Sequence, residues 1–149
     1  SLGNCIYLSD EEADVKNKVM SMFTDPNHLR VEDPGRVEGN PVFIYLDAFC
    51  KPEYFAEFLP EYQNLDELKA HYTRGGLGDV KVKKFLNKVL QAELSPIRER
   101  RKYWEQHLDD VYDILKEGSR VAEAKAAQTL HDVRSAMQIN YFDDNSLIK

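Results

Sequence analysis

The chain has 149 residues, of which 42% are hydrophobic and 31% charged, and its formal net charge at pH 7 is −6. This length and composition suffice for a folded core, so a wholly disordered protein is excluded. No apolar run approaches the ~20 residues of a membrane span, and no secretory leader pattern is present, so we expect a cytoplasmic protein without membrane contact. Cys5 and Cys50 are therefore predicted to be reduced thiols, and the widely spaced histidines predict no metal site.

The first predicted helix covers residues 10–23. Ser9 and Glu12 have the spacing of a capping box at its start, and Val15 and Val19 recur with helical spacing. Residues 24–40 are rich in proline and glycine, and a long irregular stretch is unusual within one compact domain. We therefore interpret 24–40 as the connection between two structural units.

The next three predicted elements along the chain are also helices. Asn40 followed by Pro41 predicts an N-cap and the first residue of a strongly apolar helix, which we expect to lie at the centre of the core. Pro52 and Pro60 frame a short third helix. A fourth helix over residues 65–72 is expected to stop at the glycine pair 75–76.

The fifth predicted helix opens at Asp79, expected to be its N-cap, and it is amphipathic. Its apolar arc is formed by five residues, Val82, Phe85, Leu86, Val89 and Leu90. The opposite stripe is formed by Lys81, Lys84 and Lys88. Pro96 either kinks this helix or begins the next one.

The final helical pattern covers 108–137, where Gly118 could divide one helix into two. The chain is thus predicted to contain six or seven helices and no strand, which defines an all-α helical bundle with antiparallel neighbours. Its predicted parts are 1–23, the connection 24–40, a helical domain over 41–139 and a frayed tail over 140–149.

Charge is distributed unevenly along the chain. Residues 69–102 contain ten Lys/Arg and three acids, a net charge of +7, whereas the rest of the chain carries −13. A basic segment in an acidic protein indicates a surface for a polyanion, with a nucleic-acid backbone as the first candidate. The lysine stripe is about 10 Å long, enough for about two phosphates of a single strand. The alternative is that these cations are only solvated, as charged helix faces usually are.

No complete catalytic set is present in the sequence. The glycine-rich residues 75–78 precede a helix, but they lack the preceding strand and the Lys-Ser/Thr pair of a P-loop, so they are interpreted as a helix stop and a tight turn. No nucleophile with a base and no metal-ligand spacing accompanies them. This chain alone is therefore expected to be inactive.

Several short motifs together resemble one enzyme family. Residues 1–4, Ser-Leu-Gly-Asn, are similar to the end of the KMSKS-LGN signature of class I aminoacyl-tRNA synthetases, with Ser1 at its final serine. The remaining motifs resemble bacterial tryptophanyl-tRNA synthetases, and they lie at 22–26, 40–43, 75–79 with Lys83 and Lys84, 96–101 and 130–142. The resemblance spans nearly the whole chain.

The resemblance implies the C-terminal part of a longer enzyme. In the family, an upstream Rossmann domain uses ATP with Mg²⁺ to activate tryptophan and attaches it to tRNA(Trp), and Ser1 would be the remnant of the ATP-binding KMSKS loop. The first helix would pack beneath that domain, the helical domain would bind the anticodon stem-loop, and the enzyme would act as a homodimer. The alternative is a structural, dimer-supporting helical domain without RNA readout.

For RNA binding, the sequence offers cations and aromatic rings near the basic segment. The cationic candidates are Arg74, Lys81, Lys84, Lys88, Arg98 and Arg101. The stacking candidates are Tyr72, Tyr103 and Trp104.

The sequence departs from part of the family at one cofactor site. Some members bind an iron–sulfur cluster through four cysteines, and the positions compared with three of them hold Tyr72, Asp79 and Val82. Only Cys50 is near the remaining position, so no cluster is expected.

Overall fold

The computed structural model describes residues 5–140, and every regular element in that range is a helix. The elements are α1 (Glu12–Met20), α2 (Pro41–Phe49), α3 (Glu53–Phe58), α4 (Leu65–Arg74), α5 (Asp79–Glu105) and α6 (Leu108–Ala136). The all-α prediction is confirmed. None of these six helices is both long and apolar enough to cross a membrane. The predictions for Ser1 and for the tail beyond residue 140 lie outside the described residues.

The chain divides into two compact units, Ser1–Arg101 and Lys102–Lys149. The division therefore does not fall in the 24–40 connection, where the sequence placed the boundary, and it separates α6 from the predicted domain over 41–139. The physical reason is that α1 belongs to the same core as the later helices. Its residues Val15 and Val19 are fully buried together with residues of α2, α4 and α5.

The start of α1 differs from its prediction. Its N-cap is Glu11, without a side-chain cap hydrogen bond, so the capping box at Ser9 is not formed. The Asp10 carboxylate instead accepts hydrogen bonds from the backbone N–H of Tyr7 and from the Lys18 Nζ. These bonds make a local turn that leads the chain into α1.

Helix α2 begins as predicted. The Asn40 side chain accepts a hydrogen bond from the Val42 N–H at 3.0 Å, and Pro41 is the first helical residue. The expectation that α2 lies at the centre of the core is wrong, because Ile44 and Phe49 are 55% and 44% exposed. An apolar helix can therefore be half covered even where the sequence suggests burial on all sides.

The 24–40 connection packs against the end of α4, so it is not a linker without contacts. The Gly35 N–H donates to the Tyr72 carbonyl at 2.9 Å, and a Cβ at Gly35 would lie 2.3 Å from the Tyr72 ring. The Gly76 N–H donates to the Val31 carbonyl at 2.7 Å. Gly75 ends α4 with a φ of 90°, a conformation that side chains other than glycine rarely adopt.

Helix α5 is continuous through Pro96, so this proline neither ends the helix nor starts another. Asp79 is its first residue, and the side chain accepts a hydrogen bond from the Tyr72 hydroxyl at 2.6 Å instead of serving as a predicted cap. The apolar arc of α5 is buried as expected. In the second unit, α6 is likewise continuous through Gly118, and none of its residues is buried.

Candidate nucleic-acid interface

The lysine face of α5, formed by Lys81, Lys84 and Lys88, is exposed as the periodicity predicts. Each of these residues lies opposite the buried arc that holds α5 in the first unit. Among residues 5–140, no carboxylate is within ion-pair distance of Lys84 or Lys88. These two ammonium groups are therefore open to an external anion.

Lys81 is already engaged within the protein. Its Nζ lies 2.6 Å from the Glu61 Oε1 and 5.6 Å from the centre of the Tyr62 ring. The hydrogen bond to Glu61 raises the pKa of Lys81 and lowers that of Glu61. An anion must therefore compete with Glu61 for this lysine, which weakens its contribution relative to Lys84 and Lys88.

Two aromatic rings of α3 lie beside the lysine face. Tyr54 and Phe58 are half-buried and stack on each other, with ring centres 5.5 Å apart and planes at 21°. The Lys88 Nζ lies 5.7 Å from the centre of the Phe58 ring, and the Lys51 Nζ lies 5.6 Å from that of Tyr54. We call Tyr54 and Phe58 the α3 ring pair.

The Tyr54 end of the α3 ring pair is hydrogen-bonded to a carboxylate. Glu93 accepts hydrogen bonds from the Tyr54 hydroxyl and from the Lys51 Nζ, the latter at 2.5 Å. Hydrogen bonding from Lys51 lowers the pKa of Glu93, and hydrogen bonding to Glu93 raises the pKa of Tyr54. The sequence interpretation missed this site, although the i, i+4 spacing of the rings on a short helix was a signal for it.

Lys83 has a different role from its neighbours on α5. Its side chain is buried, and its Nζ donates to the carbonyls of Met20 and Met22 at 3.1 and 2.6 Å. These carbonyls lie at the end of α1, where backbone acceptors lack partners within the helix. Lys83 therefore fastens the end of α1 to α5 and is unavailable to a ligand.

The three candidate arginines occupy different environments. Arg74 ends α4 and is exposed, and Arg101 is also exposed. Arg98 is half-buried, and its Nη2 donates to the Gln91 Oε1 at 2.7 Å. Since the Arg98 Nη1 is buried without a hydrogen-bond partner, this guanidinium is turned toward the protein rather than toward solvent.

Tyr72 is not available as a stacking residue, because its side chain has no exposed surface. The ring packs against Phe43, and its hydroxyl donates to the Asp79 Oδ1. The His28 Nδ1 lies 3.3 Å from the same hydroxyl and 3.2 Å from the Asp79 carboxylate. Burial, followed by the hydrogen bond to Asp79, raises the pKa of Tyr72 strongly. The residue therefore belongs to a buried polar network.

The residues present do not fit an iron–sulfur cluster. Tyr72 and Asp79 hydrogen-bond to each other, and Val82 is buried in the core. Burial raises the pKa of Cys50 to about 11, which disfavours the thiolate that ligates iron. More generally, residues 5–140 contain no group of three or more His, Cys, Asp or Glu positioned to hold a metal ion.

The other two stacking candidates lie in the second unit. Tyr103 and Trp104 are 53% and 41% exposed, and their rings meet edge to face at 5.3 Å. Tyr103 also stacks on His107 with ring centres 4.1 Å apart. Both aromatic rings therefore keep exposed surface, in contrast to Tyr72.

Residues 1–95 match the family described as tRNA synthetases class I (W and Y), and the chain belongs to this family. The family predicted from the sequence motifs is thereby confirmed.

Individual relatives sharpen this assignment to the tryptophan branch. The chain is 58% identical over 144 residues to the tryptophan–tRNA ligase of Clostridium longisporum, and 57% identical over 142 residues to that of Lactococcus lactis. These alignments cover 97% and 95% of this chain but only 40% of each relative. A crystal structure of tryptophanyl-tRNA synthetase from Campylobacter jejuni shares the fold, with a TM-score of 0.69 at 22% identity over 91% of this chain and 40% of that chain.

Proposed function

We propose that this chain is the tRNA-binding part of a tryptophan–tRNA ligase and that its first unit holds the anticodon stem-loop of tRNA(Trp). The observation that carries the proposal is the pair of exposed ammonium groups at Lys84 and Lys88, which have no carboxylate within ion-pair distance among residues 5–140. They lie in a segment of net charge +7 within an acidic chain. Proteins bind single-stranded RNA through cations that contact its phosphates and through rings that stack on its bases.

The surroundings of the cationic candidates support some of them more than others as RNA contacts. Lys84 and Lys88 are the strongest, Arg74 and Arg101 remain exposed, and Lys81 competes with an internal partner. Arg98 is turned inward and is not part of the proposed surface. Of the predicted aromatic candidates, only Tyr103 and Trp104 are accessible, and they stay a prediction.

The similarity to tryptophan–tRNA ligases also supports a proposal for the activity of the whole protein. The complete enzyme would activate tryptophan with ATP and Mg²⁺ in the cytoplasm, esterify tRNA(Trp) and act as a homodimer. Of this chain, the resemblance assigns only Ser1 to the ATP site, and Ser1 lies outside the described residues. This chain therefore contributes RNA binding to the proposed reaction, and its own residues supply no chemical step.

The test is the salt dependence of binding to the tRNA(Trp) anticodon hairpin. Each lysine–phosphate contact contributes about 0.7–0.9 to the slope of log K against log salt concentration. Replacing Lys84 and Lys88 together by alanine should therefore lower the slope by about 1.4–1.8. The matched control replaces two exposed lysines elsewhere, Lys16 on α1 and Lys125 on α6, and should leave the slope unchanged.

Two results would contradict the proposal. If the chain does not bind the hairpin at low salt, the structural, dimer-supporting role is favoured instead. If the control pair lowers the slope as much as Lys84 and Lys88 do, binding is a general effect of charge and not a property of this face.

A further inference from the structure

We propose that the α3 ring pair is a stacking site for an unpaired base of single-stranded RNA, with Lys88 contacting the adjacent phosphate. The inference rests on the proposed function and deepens it, because it names a base-binding position beside the lysine face. The site is formed by Tyr54, Phe58, Lys51 and Lys88, all in the first unit.

The position of the two rings on α3 is the first argument. Helix α3 attaches to the core through Phe55, which is 3% exposed and packs against Phe85 at 5.0 Å between ring centres. Tyr54 and Phe58 lie beside this anchor and stay half-exposed. Anchoring by Phe55 fixes α3, so the accessible ring surface is held in place before a base arrives, which reduces the entropy cost of binding.

The arrangement of charge around the rings is the second argument. A nucleotide presents a flat base and an anionic phosphate separated by its sugar, so a suitable site needs a ring surface next to a cation. Lys88 supplies the cation at the Phe58 end, where its Nζ lies over the ring 5.7 Å from the ring centre, and no carboxylate among residues 5–140 neutralises it. A base that stacks on Phe58 therefore displaces this ammonium group toward its own phosphate. Lys51 at the Tyr54 end is neutralised by Glu93. The two ends of the α3 ring pair therefore differ in charge, because only the Phe58 end has a cation without a carboxylate partner. We expect the phosphate to contact that end.

The same difference in charge makes Phe58 the ring that meets the base. The Tyr54 hydroxyl donates a hydrogen bond to Glu93, and Lys51 beside that ring is already paired with the same carboxylate, so the Tyr54 end offers no free cation for a phosphate. Stacking depends on the flat face that every base shares, so the site should accept any unpaired base and should reject a fully paired duplex.

The experiment compares two phenylalanine substitutions in the full 149-residue chain. Phe58→Leu keeps an apolar side chain but removes the ring, and Phe49→Leu is the matched control because Phe49 is an exposed ring on α2. Phe58→Leu should weaken binding of the anticodon hairpin about 5- to 150-fold, the range for one stacked base. The salt slope and the affinity for a fully paired RNA duplex should stay unchanged, and Phe58→Tyr should bind the hairpin as the unsubstituted chain does.

A second measurement protects the test against misfolding of the leucine variant. With the unsubstituted chain, 2-aminopurine placed at each loop position of the hairpin should be quenched by protein at one or more positions. If no position is quenched, the stacking site is overturned. Quenching that persists in Tyr54→Leu and Phe58→Leu alike would overturn it as well.

Failure of this inference is separable from failure of the proposed function. If the hairpin binds and the Lys84/Lys88 variant lowers the salt slope, but Phe58→Leu behaves like Phe49→Leu, then the RNA-binding face stands and the stacking site is overturned. If the unsubstituted chain does not bind the hairpin at all, both proposals fail together.

Discussion

Helices α5 and α6 are the two longest elements of the described chain, and they differ in how many of their residues are buried. Helix α5 has 27 residues and buries seven of them, whereas α6 has 29 residues and buries none. Both carry apolar residues at helical spacing, but Leu86 of α5 is fully buried and Leu115 of α6 is 63% exposed. Periodicity therefore predicts a helix and its apolar face, and it does not determine whether that face finds a partner.

The largest difference is expected between a buried leucine of α5 and an exposed leucine of α6. Leu86→Ala should lower the free energy of unfolding by about 2–5 kcal/mol, because it leaves a cavity in a packed core. Leu115→Ala should change it by less than about 0.5 kcal/mol. Urea denaturation of both variants checks this comparison, and an equal loss at Leu115 would show that another surface covers α6 in solution.

The next effect distinguishes two adjacent lysines of α5. Lys83→Met removes the donor for the Met20 and Met22 carbonyls and should lower the free energy of unfolding by about 1.5–3 kcal/mol. Lys84→Met is the matched control, and its exposed position predicts a change within about 0.5 kcal/mol. Equal melting temperatures for the two variants would contradict the role given to Lys83.

A smaller effect, opposite in sign between the units, is expected for two glycines. Gly35→Ala places a Cβ 2.3 Å from the buried Tyr72 ring and should lower the free energy of unfolding by about 1–3 kcal/mol. Gly118→Ala on α6 meets nothing within 4 Å and should raise the helical stability of that unit by about 0.5–1 kcal/mol. Circular dichroism during thermal unfolding measures both changes, and a stabilising Gly35→Ala would refute the close contact.

The smallest effect concerns two glutamates whose pKa is lowered. Lys51 lowers the pKa of Glu93 across a tertiary contact, whereas Arg120 lowers that of Glu117 within α6. A carboxylate with a lowered folded-state pKa contributes stability above its unfolded pKa, and this contribution is lost as pH falls through the folded value. Below about pH 4.5, the free energy of unfolding should therefore decrease less steeply with falling pH in Glu93→Gln than in the unsubstituted chain.

The control for this titration is Glu117→Gln. Because Arg120 is only three residues from Glu117, their pair can persist in a partly helical unfolded chain, so the difference between folded and unfolded pKa is smaller. If the free energy of unfolding of the two glutamine variants depends on acidic pH in the same way, the tertiary pair of Glu93 contributes no more than the local pair of Glu117.

Local signals in the sequence predicted much of the fold. Asn40 caps α2 through its own side chain, and Gly75 ends α4 with a positive φ, so both signals can be recognised from neighbouring residues in the sequence. Pro96 does not begin a new helix and Gly118 does not divide α6, because a long helix tolerates a single weak position. The family itself was predictable because its motifs are short and contiguous.

The candidate site was predictable only where exposure follows from helical periodicity, as for Lys84 and Lys88. Tyr72 could not be placed from its sequence neighbours, because its burial depends on Gly35 and Phe43, which are distant in the chain. Arg98 turns inward because Gln91, seven residues earlier on the same face of α5, offers an acceptor. The burial of Tyr72 is a tertiary outcome, and no single-helix pattern contains it.

The hydrogen bonds made by Lys83 also have a consequence for how the first unit folds. They connect residues 63 and 61 positions apart, and the bond from Gln91 to the Glu12 carbonyl spans 79 positions. Contacts of this range require closing long loops before they contribute any stability, so we expect the first unit to fold more slowly than helical proteins with mainly local contacts. The side-chain hydrogen bonds within α6, by contrast, span three or four residues, so that helix can form at an early stage without waiting for distant parts of the chain.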